Sequence, residues 1–241
     1  MTTSEQRGDL DQLLTLLYEA DVAIIRKPVV VLDSGRSTRR VTWPPSSLET
    51  GELYRRRYAS VDEYREWIRA EAYSAVLFDG ALLQLSFDFA GADLIGHRLV
   101  YFPCPYLVEP ALLREEALLD VMDLYASSRS ERPRLVSPLR FEYDAARARK
   151  GHPASHLTTI SSDCRWAVTT PLSTGHFIRF VFSHFYPSCM NHMDLCGVGP
   201  SSTQDGPLPM SRSRSCTYRV VGSSSARTAD GRPRCGCFSG V

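Results

Sequence analysis

Apolar residues recur along this chain at helical spacing in four stretches and at strand spacing between them. In 4–20 (SEQRGDLDQLLTLLYEA), Leu10, Leu13, Leu14 and Leu17 form an i, i+3, i+4, i+7 stripe, with Ser4 as the expected cap. Residues 22–32 are apolar and β-branched, Asp33-Ser34-Gly35 carries turn chemistry, and 38–43 reads as the return arm of a hairpin. A second helix is expected over 61–72, with Asp62 and Glu63 in its first turn, where the helix dipole favours them. Then 73–78 and 81–89 flank Asp79-Gly80, a pair suited to a two-residue turn with positive φ. In the second arm Leu83, Leu85, Phe87 and Phe89 alternate with Gln84, Ser86 and Asp88, which predicts one buried and one polar face.

Further along, 97–102 reads as a strand and 110–125 as a helix with Leu113, Ala117, Val121 and Leu124 on its apolar side. The segment 126–133 is a loop and the best boundary within the body. Three more strands are expected at 139–143, 155–160 and 165–170, then a helix at 171–186 with Ser173 as its cap. This order predicts an α+β protein, a mainly antiparallel twisted sheet of about seven or eight strands with helices on one face.

The pattern breaks at Tyr186. From 187 to 241 the chain is rich in Ser, Gly, Pro, Arg and Cys, without Ile, Lys or Glu. Such a segment buries too little apolar area to offset the entropy of ordering it. Two origins fit: a basic, low-order tail, or a shifted reading frame, which in GC-rich sequence yields words such as SRSRSC and ADGRPRCGC; the shift is favoured. The expected single domain is therefore 1–186.

Composition adds limits rather than a function. The chain is 43% hydrophobic and 23% charged, with formal charge +1, so bulk charge selects no polyanionic or acidic partner. Only Lys27 and Lys150 of the 28 basic residues are lysine, a bias that GC-rich codons explain. No secretory signal opens the chain and no apolar run reaches the ~20 residues of a membrane span, so a cytoplasmic protein is expected. The seven cysteines, five of them beyond Tyr186, read as free thiols.

Six segments, YSAVLFDGALLQLSFDF (73–89), HRLVYFPCP (97–105), RFEYD (140–144), HPASHLT (152–158), CRWAV (164–168) and PLSTGHFIRFVFSHFY (171–186), together resemble a bacterial domain-of-unknown-function family, number 2290. The resemblance covers about 10–186. It implies a bacterial cytoplasmic protein, encoded near mobile-element and phage-defence genes, and supplies no reaction, ligand or catalytic residue. It also implies ordered sequence after the aromatic helix, from which this chain departs.

Chemistry is sought in Arg140, Glu142, Asp144, His152 and His156. The first three alternate along one strand and share a face. If the next strand pairs with it, two imidazoles approach carboxylates and a guanidinium, a set suited to metal-independent RNA cleavage. With Asp144 and His156 as ligands it can instead hold a divalent metal. The plain alternative is a strand face of ion pairs. HPASH is no metalloprotease motif, since Pro153 disfavours helix at His152 and no Glu intervenes. Cys164 with His156 or His176 as base is a weak nucleophile candidate, and Cys104 in FPCP reads as core. His176 and His184 read as helix histidines satisfied by backbone carbonyls. Cys189, His192, Cys196, Cys235 and Cys237 lack the spacing of structural zinc sites, and no phosphate loop, nucleophile elbow or dinucleotide fingerprint is present. No cofactor is expected. The reading is a binding or accessory protein whose partner is another protein of a phage-defence or toxin–antitoxin locus, with nucleic acid a weaker candidate. A small nuclease-like enzyme using the His/Asp/Arg set is the alternative.

Overall fold

The computed structural model describes residues 2–35, 37–45, 61–128, 132–134, 136–149, 152–159 and 164–190. Nine strands build one antiparallel sheet: β1 (Ala23–Arg26), β2 (Val30–Gly35), β3 (Thr38–Thr42), β4 (Ala75–Leu77), β5 (Leu82–Ala90), β6 (Asp93–Phe102), β7 (Leu139–Asp144), β8 (Ser155–Thr158) and β9 (Arg165–Ala167). The main path runs β1-β4-β5-β6-β7-β8-β9. The long β5 meets β4 along its first half and β3 along its second, on the same side, so the β2–β3 hairpin continues the sheet beside β1–β4.

The expected strand 22–32 is two strands, because Lys27-Pro28 interrupts it. Pro28 has no N–H for a ladder, and the Lys27 N–H donates to the Ser74 carbonyl instead. β1 and β2 consequently take different partners. The Asp79-Gly80 hairpin forms where expected. Gly80 has φ +83, the Asp79 carboxylate accepts from the Ala81 N–H at 3.0 Å, and Tyr64 donates its hydroxyl to the Gly80 carbonyl.

Helices lie on both faces rather than one, since both faces of the sheet carry apolar positions. α1 (Thr3–Glu19) and α5 (Thr174–Phe185) cover the face bearing Leu83, Leu85, Phe87, Leu99, Phe141 and Leu157. All four leucines of the α1 stripe are buried, each contributing roughly 1.5–3 kcal/mol by transfer. The cap of α1 is Thr2, in a reciprocal box with Glu5, and not Ser4. Ser173 caps α5 as expected. On the other face α2 (Val61–Arg69), α3 (Leu112–Glu115) and α4 (Leu118–Ser127) bury Tyr64, Trp67, Leu113, Val121 and Met122 against Val76, Leu82, Val100 and Phe102.

The helix expected at 110–125 is broken at Glu116-Ala117, both extended. The break resets the helical phase: Leu118, Val121 and Met122 turn inward, and Leu124, expected in the core, is 56% exposed. α2 stops at Arg69, short of 72. Glu71 takes a left-handed φ of +47 while the Ala72 N–H reaches back to the Trp67 carbonyl, which closes the helix end. Asp21, φ +56, ends α1 in the same way.

Order continues past Tyr186 into α6 (Pro187–Met190), whose Cys189 packs on the core. The rest of the expected tail, 191–241, lies outside the described residues. Tyr186 is itself a core member, with its hydroxyl 2.8 Å from Asp79 Oδ2 and 3.0 Å from the Tyr101 hydroxyl. The Asp79-Gly80 turn is thus held from one face by Tyr186 and from the other by Tyr64. No described helix is long and apolar enough to cross a membrane.

Candidate functional site

Alternation and register together make a polar half-face. β7 sends Phe141 into the α5 core and Arg140, Glu142 and Asp144 to the opposite side. β7 pairs with both β6 and β8, which brings side chains far apart in sequence into two lateral rows. One row is Ser86, Arg98, Glu142, His156 and Ala167; the next is Gln84, Val100, Arg140, Thr158 and Arg165.

Four of the five expected residues meet here. Glu142 Oε1 accepts from Arg98 Nε at 3.0 Å and Nη2 at 2.6 Å, and its Oε2 lies 3.5 Å from His156 Nε2. Burial by itself would raise the Glu142 carboxyl, but His156, Arg98 and Arg140 together hold it well below the usual carboxylate range. It is therefore a fixed anion, not a proton shuttle at neutral pH. His156 is 2% exposed, and its Nδ1 lies 3.0 Å from the Pro153 carbonyl. A carbonyl only accepts, so Nδ1 carries the proton and Nε2 faces Glu142. His152 stacks edge-on against His156, ring centroids 4.8 Å apart. Its own ionisation is pushed down, first by burial and then by His156, Arg165 and Arg149. Arg140 lies beside a cavity of about 10 Å³, room for a single water, walled with it by Glu63, Trp67, Gln84 and Arg98.

Asp144 stands apart. Its Oδ1 accepts from the Ala146 and Arg147 N–H groups at 3.1 and 3.2 Å, and its Oδ2 pairs with Arg147 Nε at 3.1 Å. The carboxylate caps the short 3-10 turn Ala145–Arg147. Among the described residues no group of three His, Cys, Asp or Glu side chains has the arrangement to hold a metal.

Three other sequence candidates, Cys104, His176 and His184, are engaged within the fold. Cys104 is 1% exposed under Tyr64 and Met122, and burial pushes its thiol up to about 11, so it is no nucleophile. His156 is engaged as described, and His176 Nδ1 lies 2.8 Å from Ser173 Oγ, so each proposed base for Cys164 has its own partner. His184 Nδ1 meets the Phe180 carbonyl at 2.8 Å, as expected, although both helix histidines are exposed rather than partly buried. His192, Cys196, Cys235, Cys237 and the SRSRS run lie outside the described residues.

Sequence reasoning did not single out Arg98, Thr158 or Arg165. Alternation assigns each to the polar side of its strand, but only the register puts them beside Arg140 and Glu142.

A family model described as an uncharacterized conserved protein matches residues 25–218, extending past Tyr186, where the resemblance had been expected to end. No curated protein and no solved structure matches the chain.

Proposed function

The chain belongs to the uncharacterized conserved protein family DUF2290, and for this member we propose a binding, accessory role rather than catalysis. One observation carries the reading: Glu142, Asp144 and the Nδ1 of His156 are engaged inside the fold. His156 meets a carbonyl with one ring nitrogen and Glu142 with the other, Glu142 is forked by Arg98, and Asp144 caps a turn. General acid–base catalysis needs a group within hydrogen-bond reach of substrate and free to change protonation. The adjoining cavity, sized for one water, gives no room to a nucleotide. What remains is a surface of fixed charges, which serves recognition. The partner is another protein encoded beside this one, in keeping with the mobile-element and phage-defence setting that the family resemblance implied.

The full chain is mixed with the product of each neighbouring gene and run on a sizing column with mass detection. It is also incubated with RNA and single-stranded DNA, with and without Mg2+ or Mn2+, beside the double variant His152→Ala, His156→Ala. The expected result is a stoichiometric complex with one neighbour and no cleavage by either form. Cleavage by the native chain that the double variant loses would replace the binding role with the nuclease.

A further inference from the structure

We propose that the outer edge of β2 takes up an extended segment of a partner protein as a further strand of the sheet, apolar where it meets Val31 and basic where it meets Asp33. This deepens the binding role, and rests on it, by naming where the partner docks and what chemistry it brings.

Among the described residues three strands, β1, β2 and β9, are paired on one side only. Proteins guard such edges with short length, proline or charged side chains, because a row of unpaired N–H and C=O groups templates another strand. β1 has four residues and runs into Lys27-Pro28. β9 has three. β2 has six, VVLDSG, without Pro, Lys or Arg. Its bulge falls after Asp33, so 30–33 is regular strand. Alternate residues of an antiparallel strand turn both backbone groups to the same side, so the outer edge of β2 presents a donor and an acceptor at every second position. That edge is open to solvent: Val31 is 37% exposed, and Asp33, Ser34 and Gly35 are exposed.

The side chains specify the occupant. Val31 stands opposite Val41, and Val41 opposite Phe87, so an added strand continues this core row with an apolar, β-branched residue beside Val31. Asp33 lies two residues on and shares that face. Its side chain is 89% exposed and meets Arg39 at 3.9 Å. An exposed pair of that kind is worth little, so a cation from the partner is favoured beside Asp33. A second copy of β2 fits worse. A two-fold axis centred on Val31, Leu32 or Asp33 sets Asp33 against Val29, Val31 or its own copy. Centred on Val30, it sets Asp33 against Lys27, which lies beyond Pro28 and is paired with Glu71. The strand has no cation of its own to give, so the complementary one comes from a different chain.

The test uses the full chain and a fluorescein-labelled peptide, TVTKTVT, whose lysine has a valine two places away on either side and so serves both strand directions. Anisotropy is expected to show binding at millimolar peptide or below, and TVTETVT to bind more weakly. Val31→Lys places a charge on the edge and is expected to weaken binding at least tenfold. Asp33→Lys is expected to reverse the preference between the two peptides. Both positions are exposed, so both variants are expected to fold. Peptides N-methylated at alternate residues give a readout that mere stickiness does not: the pattern that removes the N–H groups facing β2 loses binding and the other keeps it. No binding at millimolar peptide overturns the inference, and so do equal effects of the two methylation patterns. A native dimer that Val31→Lys dissolves overturns it too, because the edge then belongs to a second copy. A stoichiometric complex with a neighbouring gene product that Val31→Lys leaves intact removes the docking edge and keeps the binding role. Peptide binding without any such complex keeps the edge and removes the neighbour as its partner.

Discussion

His97 makes the stability of this protein fall as the solution becomes mildly acidic. It sits on β6, 4% exposed, between the rings of Phe87 and Tyr143. Its Nε2 accepts from the Leu172 N–H at 3.0 Å, two residues before α5 begins, so Nδ1 carries the proton of the neutral ring. Protonating Nε2 would set donor against donor and expel the segment that leads into α5. Burial is the chief cause of a pKa lowered to about 4, only partly offset by the backbone near Phe141 and the Glu142 charge. The unfolded chain binds this proton near the ordinary 6.5. Between those values the unfolded state holds more protons than the folded one, so stability rises with pH across the window and is lost as pH falls through it. From pH 7 to pH 5 the loss is about 2 kcal/mol, approaching 3 kcal/mol near pH 4.

Urea titrations at pH 8, 7, 6 and 5 measure it. His97→Gln offers a non-titrating acceptor to Leu172 and is expected to remove most of the slope. His152, also lowered, acts in the same direction, but its exposure to solvent keeps its share small. Glu142, lowered by its ion pairs, loses its contribution only as pH falls below its ordinary 4.5, beneath the titrated range of pH 8 to 5. Equal pH slopes for His97→Gln and the native chain would refute the reasoning.

Two further outcomes follow from the packing around the Asp79-Gly80 turn. Gly80→Ala forces a Cβ to 3.1 Å from Cys104 Sγ at a left-handed φ, whereas Gly91→Ala, φ +62, meets nothing within 4 Å; the first is expected to cost more than the second by about 1–3 kcal/mol in chemical denaturation, the clash beyond the shared backbone strain. Equal costs would show that Cys104 yields freely. Tyr186→Phe leaves the part-buried Asp79 Oδ2 and the Tyr101 hydroxyl short of a partner, an expected loss of about 1–3 kcal/mol; a neutral result would mean that the turn is held by Tyr64 without its help.

The sequence by itself determined most of the elements and the class. Period-two alternation in β5 and the leucine stripe of α1 are local, and each element must hide its apolar side, so an α+β sheet follows from spacing. Boundaries slipped where local signals were missing. Asp21 and Glu71 end helices in left-handed geometry usually given to glycine, and Glu116-Ala117 breaks a helix with neither Gly nor Pro. Alternation also put Arg140, Glu142 and Asp144 on one side of β7. It did not say which of them meets a partner: Asp144 turns to its own 3-10 turn, while Glu142 is shared by Arg98 and His156. Only the tertiary structure decided that, because strand register depends on pairings between segments tens of residues apart, and a slip of one residue would send every side chain to the other face. The same registers placed Thr158 between two arginines, a meeting that no spacing along the chain records.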